Sequence, residues 1–578
     1  MPSASVPPPA AQVLLRLGVR DSDYWLAWLA YATVAFSCLQ VLLFSFGRDQ
    51  GIYAVVADKI LDGGLPYRDV WDFKPPGIFL VYALAQALFG KSMLAPRLLE
   101  VVGMLGMVAG IVFLGKQLFG SRHAGLLGGA LAALVHAELE FWHTGQPESF
   151  GGFLTVLGLV LTIAEVPRSR RFLRWGALGV VWGAAFLFKP PLGGGLVVSA
   201  AYLARRHGAR GGPRAVLEPA LCLAMGAAVP VLACAAWFWL AGGWSELTWT
   251  LGEFVPGYTA LSWQGRSAPT MFYYALEEAF FRLSALLAFG FIAAIVIRPL
   301  FGREREGVFL VLGFVSLHLA GIAMQGKFFA YHYGATIPLL AFVAGLGLYK
   351  LWRRCLSAGA GGTAAFALFL IVAASMRDPV RDLPQTFWQR SLARTGHVLG
   401  LGPYRSTELL EQELYYVSDY SLNADRRVAR ELDERLAPDD FLYVWGFEPT
   451  IYWLTELRSA SRFIYNVPQR ALWGRDAARA LLERDLEARP PGAIVVQRND
   501  VFPAVTGSYD DSRTALDDYP KMARLLERDY ELVRIIDDFA LYTRRDEPRA
   551  ARAPRHTPAR KRPRRALDEA RARAEGTR

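Results

Sequence analysis

Three lysines and a few carboxylates stand in settings that suggest chemistry rather than packing. Lys74 precedes two prolines in Phe73-Lys74-Pro75-Pro76, and Lys189 repeats the arrangement in Phe188-Lys189-Pro190-Pro191. Proline stiffens the backbone beside each ammonium, and an ammonium presented that way suits a phosphate. A lysine beside a bilayer can also simply snorkel. The third lysine opens Lys327-Phe328-Phe329-Ala330-Tyr331-His332-Tyr333. Asp49, in Gly47-Arg48-Asp49-Gln50-Gly51-Ile52-Tyr53, and Glu148, in His143-Thr144-Gly145-Gln146-Pro147-Glu148-Ser149, supply the acids. A carboxylate can take the proton of an attacking hydroxyl or amine. The same two positions also fit an N-cap for Asp49 and a first-turn acid on a helix dipole for Glu148.

The elements that must hold these residues are mostly membrane spans. Hydrophobic residues make up 53% of the 578 and charged residues 20%, too apolar a balance for one soluble core. Runs long enough to cross a bilayer lie near 24–46, 98–118, 123–142, 150–166, 172–188, 190–206, 215–241, 281–299, 307–324, 334–351 and 360–376, about eleven transmembrane helices. Lys and Arg collect in alternate loops, at 116–122, 168–174, 205–214, 298–305 and 350–354. Basic short loops stay on the cytoplasmic side. The loops 47–97, 143–149, 242–280 and 325–333, the Lys189 turn and everything after 376 are then external. The first external loop carries an amphipathic stripe, Ile52, Val55, Val56 and Ile60, that predicts a helix along the membrane surface ending at Gly63-Gly64. The stretch 77–90 is short for a span and reads as an interfacial or re-entrant helix.

Residues 377–546 change character. Runs at 441–445, 462–465, 493–497, 531–536 and 539–543 read as strands, and 449–456, 471–487 and 513–528 as helices, which predicts an external soluble α/β domain. No Gly-rich phosphate loop occurs in it, which argues against a nucleotide-sugar donor or ATP-driven transport. The formal charge is +11, and from Pro548 to Arg578 there are 11 Lys/Arg against three Asp/Glu. The excess is therefore largely a basic tail, 547–578, expected to be disordered and solvated or to touch anionic lipid; no nucleic-acid partner is expected. Four cysteines, none in a C-x-x-C pair, indicate neither a disulfide scaffold nor a zinc module.

An acid just after the first span, a surface helix, a Lys-Pro-Pro, and a Lys-x-x-x-Tyr-x-Tyr followed by Pro338 together resemble a bacterial membrane glycosyltransferase of the GT-C class. The resemblance is to the family 39-like group that joins protein O-mannosyltransferases with the lipid A aminoarabinose transferases. It covers roughly residues 20 to 375, the expected GT-C-like catalytic domain being 1–376. The blocks 443–449 and 462–466 look like the soluble domain of many bacterial members. The resemblance implies transfer of a sugar from a polyprenyl-phosphate carrier to an envelope acceptor (lipid, polysaccharide or protein) on the outer face of the cytoplasmic membrane, with inversion at C1. It implies Asp49 as base or acceptor-positioning acid, Glu148 as a second acid, and Lys74, Lys189 and Tyr331 as donor-phosphate contacts. Tyr53, Asp72, Lys327, His332 and Tyr333 are further substrate-binding candidates. Relatives that bind a divalent cation often carry Glu before the lysine; here Phe73 stands there, with Asp72 one residue earlier, so the metal is left open.

The rival reading is a secondary transporter or flippase of lipid-linked sugars, which would place ionisable residues at mid-membrane depth and often repeat its halves. A polymerase or ligase using a diphosphate-linked donor, and a non-catalytic anchoring subunit, are the others. Trp244, Trp249, Tyr258 and Trp263 read first as an interfacial aromatic belt and second as sugar-stacking residues.

Overall fold

The computed structural model describes residues 23–376 and 379–545, apart from the side chains of residues 207–211, 213 and 215. The basic tail 547–578 lies outside the described residues.

Each of the eleven apolar stretches is helical. Six helices are long and apolar enough to cross a membrane: Tyr24–Leu42, Leu94–Phe119, Arg168–Phe188, Val216–Leu240, Gly302–Gln325 and Gly359–Met376. The bent pair Ala268–Phe281 and Ala285–Val296, turned by 106°, would make a seventh. The expected spans 190–206 and 215–241 form one helical run, Gly195–Leu240, broken in conformation at Gly212. At the centre stands Arg122–Glu138, in which every residue from Ala124 onward is buried. It can be enclosed because its neighbours approach closely: a Cβ on Gly345 of Ile337–Ser357 would collide with the backbone of Gly128. Small residues facing one another bring helices to backbone contact, the usual way that membrane helices gain packing energy.

After residue 379 the chain forms a five-stranded sheet: β1 (Phe441–Trp445), β2 (Arg458–Ser459), β3 (Ala493–Gln497), β4 (Tyr530–Ile536) and β5 (Phe539–Arg544), in the order β2-β1-β3-β5-β4. β1 runs parallel to β2 and β3, and β5 is antiparallel to β3 and β4. All five residues of β3 are buried, which is why the unbroken apolar run Ala-Ile-Val-Val reads as a central strand. Residues 462–465, expected as a strand, are not one: the segment makes a single bridge, Trp71 to Phe463, with Trp71 N–H donating to the Arg462 carbonyl at 2.7 Å. The helix expected over 513–528 is a short turn and then Pro520–Asp529, because Pro520 starts a new helix.

The sheet and the first external loop share one hydrophobic core, joining Ile52, Tyr53 and Trp71 to Val444, Ile451 and Tyr465. That contact corrects the expectation of a surface helix. Arg48–Leu61 is a helix as predicted, but eight of its residues are buried, and Gly51 lies so close to Thr450 that a Cβ there would overlap the threonine side chain. The helix is a layer between membrane sector and sheet.

Candidate active site

Helix Arg48–Leu61 starts at the N-cap Gly47, whose N–H donates to Gln50 Oε1 at 2.9 Å. Asp49 therefore does not cap the helix. Its carboxylate accepts from Gln146 Nε2 at 3.1 Å, while the Tyr53 hydroxyl donates to Gln146 Oε1 at 2.8 Å. Tyr53 thus fixes which way the Gln146 amide points, and the amide N–H₂ must face Asp49. The loop carrying Gln146 is pinned from below. Glu100 accepts from Arg97 at 2.8 Å, from the Gly145 N–H at 2.6 Å and meets His136 at 2.9 Å, and Arg97 donates to Thr144 and to the Phe141 carbonyl. Removing one member of such a buried network would strand the charge of its partner, which is costly.

A cavity of about 1000 Å³ opens beside this loop. Of the ten residues singled out by sequence, eight line it: Asp49, Asp72, Lys74, Glu148, Lys189, Lys327, Tyr331 and His332. Tyr53 and Tyr333 do not. Tyr53 acts through Gln146, and the Tyr333 hydroxyl donates to the Ala275 carbonyl at 3.1 Å. Lys74 reaches the Tyr331 hydroxyl at 3.4 Å and lies 4.9 Å from its ring centre. Lys189 is ion-paired with Glu148, and His332 Nε2 stands 3.9 Å from the same carboxylate. His332 Nδ1 meets the Lys327 carbonyl at 2.6 Å; a carbonyl only accepts, so the proton sits on Nδ1 and Nε2 offers its lone pair to the cavity. The rest of the lining is largely apolar, including Pro190, Pro191, Leu317 and Met324.

Asp72 does not look like a metal ligand here. Its Oδ1 accepts from the Tyr465 hydroxyl at 2.5 Å and its Oδ2 from the Lys74 N–H at 3.2 Å. No three His, Cys, Asp or Glu come together as a metal would need, among the described residues. The donor set does not fit a divalent cation. Asp72 instead fastens the Lys-Pro-Pro turn to the sheet domain.

Charge in the cavity is shared. Burial works against the Lys74 ammonium, yet Asp49, Glu148 and Asp72 outweigh it and hold its pKa above the ordinary lysine value. Burial brings Lys189 down to about 8 in spite of Glu148, and Lys327 likewise to about 8. Burial raises Asp72 to about 6 against the Tyr465 hydrogen bond and Lys74. Burial, then Lys189 and Lys74, keep His332 well below the ordinary histidine value and neutral.

Residues 73–239 match the family model described as dolichyl-phosphate-mannose-protein mannosyltransferase. Among solved structures, ArnT from Cupriavidus metallidurans bound to undecaprenyl phosphate aligns over 90% of this chain and 98% of that one, with TM-score 0.52 and 14% identity. The chain carries a GT-C fold. The apo form of the same ArnT aligns over the same shares at TM-score 0.51. An oligosaccharyltransferase from Archaeoglobus fulgidus aligns over 82% of this chain and 70% of that one at 11% identity and TM-score 0.44, too distant to bear on this chain. No curated protein matches it. The shared fold and the match over residues 73–239 agree with the resemblance read from the sequence.

Several residues of the site escaped the sequence reading. Arg48, next to Asp49, lines the cavity and donates to Glu448 Oε1 at 2.5 Å and to Asp419 at 2.6 Å, both beyond residue 379. Phe447, Phe502 and Val505 close the cavity from the sheet side. Gln146 stands in the His143–Ser149 motif but carries no charge to mark it. Tyr258 and Trp263 line the cavity and so are more than belt residues, whereas Trp249 packs on Trp71 with ring centres 6.2 Å apart. Glu140, a buried acid shortly before the His143–Ser149 loop, pairs with Arg394 at 2.7 Å and Arg390 at 3.2 Å and stays out of the cavity.

Proposed function

We propose that the protein transfers a sugar from a polyprenyl-monophosphate carrier to an acceptor hydroxyl or amine in the cell envelope, with its cavity on the outer side of the cytoplasmic membrane. The observation that carries the reading is the convergence of Asp49, Lys74, Lys189 and Tyr331 on one cavity with apolar walls. A relative in fold was solved with undecaprenyl phosphate bound, and the match to mannosyltransferases points the same way. The basic loops 116–122, 168–174, 205–214, 298–305 and 350–354, read as cytoplasmic, support an outer position for the cavity and the sheet domain. A transporter is less well supported, since these charged groups gather in one cavity with the sheet domain as its lid.

In this reading the donor phosphate lies between Lys74, Lys189 and the Tyr331 hydroxyl, and the polyprenyl chain runs along Pro190, Pro191 and Leu317. Asp49 takes the acceptor proton while the acceptor oxygen or nitrogen attacks C1. The C1–O bond breaks, and the electron pair leaves on the polyprenyl phosphate, where fixed cations stabilise it. Glu148 holds Lys189 in place, a positioning part rather than a second base. The test is equilibrium binding of polyprenyl phosphate to the purified full chain. Lys74→Gln is expected to weaken it by about tenfold or more, on the scale of one charge-assisted hydrogen bond; unchanged affinity would remove Lys74 from the phosphate site.

Two pH effects follow. Lys189 loses its charge above about 8, so activity is expected to fall on that side, and Lys189→Arg, charged throughout, is expected to extend the alkaline limb of the kcat/KM profile. Tyr465→Phe removes a donor that stabilises ionised Asp72, so the Asp72 pKa rises further and the acid limb is expected to move to higher pH. A profile unmoved by either substitution would exclude these groups from the rate-determining ionisations.

A further inference from the structure

A second cavity, of about 1100 Å³, lies among the helix ends that carry the basic loops. Helix Leu94–Phe119 joins it to the first site: Arg97 pins the catalytic loop, and Lys116, 19 residues on, lines the second cavity. At 1.5 Å per residue the two are about 28 Å apart, close to the thickness of a bilayer's hydrocarbon core. Six cations line the second cavity, Lys116, Arg122, Arg298, Lys350, Arg353 and Arg354, against two carboxylates, Asp23 and Glu304.

The carboxylates do not neutralise the cations. Arg298 pairs with Glu304 at 2.5 Å, Lys350 lies 3.7 Å from the same carboxylate, and Arg353 reaches Asp23 only at 4.0 Å, so two carboxylates answer six cations. Lys350 does not snorkel: it is 8% exposed and donates to the Ala294 and Arg298 carbonyls at 2.8 and 3.1 Å, forming a charged floor. The Lys116 and Arg354 side chains, exposed at the rim, have no hydrogen bond or ion pair among the described residues. Like charges held around a hollow repel one another unless an anion enters it. Val296 and Phe301, close in sequence to the lining residues Ile297 and Arg298, are 74% and 67% exposed, an apolar surface suited to acyl chains.

We propose that this cavity binds the phosphate headgroup of an anionic membrane phospholipid, its acyl chains lying along Val296 and Phe301. A basic pocket between membrane helices is the chemistry that selects such headgroups. The site is separate from the donor cavity, so the lipid is a resident partner and not a substrate.

The experiment is native mass spectrometry of the full chain, titrated with phosphatidylglycerol or phosphatidylcholine. Phosphatidylglycerol is expected to bind preferentially. Each rim cation is worth about fivefold, so Lys116→Gln with Arg354→Gln is expected to weaken it about thirtyfold, while Lys116→Arg with Arg354→Lys retains it. Arg170→Gln with Arg205→Gln, exposed basic positions outside the cavity, controls for general surface charge and is expected to change little. Equal binding of the two lipids, or an equal loss in the control pair, would overturn the proposal. Displacement of the lipid by millimolar inorganic phosphate at ionic strength held constant would overturn it too, by assigning the cavity to a free anion.

Discussion

Asp49→Asn is expected to lower turnover by about 10²- to 10⁴-fold, the usual worth of a positioned general base, while leaving donor binding close to wild type. Asparagine keeps the size of the side chain, and its carbonyl can still accept from Gln146 Nε2, so the loop has no reason to move. What it loses is the capacity to take a proton. The mutant is therefore expected to lose kcat and kcat/KM together, the signature of an interaction made only in the transition state. Single-turnover assays with a polyprenyl-monophosphate sugar would measure it. A rate within a few-fold of wild type would deny Asp49 the proton.

Arg48→Met is expected to cost about 3–5 kcal/mol of stability, the range for breaking a buried ion pair from one side. Arg48 is 3% exposed, bonds to Glu448 and Asp419, and lies over the rings of Phe447 and Phe502 at 4.9 and 4.8 Å. It ties the start of the Asp49 helix to the sheet domain. Burial raises Glu448 to about 8 even with Arg48 opposing it, so the folded state holds this proton more tightly than the unfolded chain. Stability from this group is therefore greatest at low pH and declines as pH rises from the ordinary carboxyl range through about 8. The penalty of Arg48→Met is expected to be larger at pH 9 than at pH 6. Arg48→Met with Glu448→Met should recover part of it, since Glu448 is no longer stranded and only Asp419 loses its partner. Thermal unfolding of the four proteins in detergent checks the cycle, and additive losses would mean that the two side chains do not interact.

How much of this was legible in sequence differs from residue to residue. The Lys-Pro-Pro turns announced themselves because proline fixes a backbone locally, whatever the fold does. β1 and β3 appear over the expected residues because a buried strand is an unbroken apolar run between polar ends. Residues 462–465 carry the same local signal, yet their neighbour is the loop at Trp71, nearly 400 positions away, which no local pattern contains. Helix Leu422–Arg435 is hard to read because charge dominates it and its apolar stripe is narrow, and Phe387–Val398 because its few apolar residues are interspersed with polar ones. Arg48 was hidden for a related reason: beside an acid at a helix start it looks like surface, and only the docking of the sheet domain buries it. Tyr53 and Tyr333 sit in the right motifs but face inward, where helical rotation and a short 3₁₀ turn aim them at Gln146 and Ala275.

The central claim is that the protein consumes a polyprenyl-monophosphate sugar, and lipid mass spectrometry of a strain lacking it tests that most directly. Complementation with wild type and with Asp49→Asn supplies the comparison. The expected result is one polyprenyl-monophosphate sugar that accumulates in the deletion, clears with wild type and persists with Asp49→Asn. An unchanged lipid pool in the deletion, or equal clearing by the two proteins, would contradict the account.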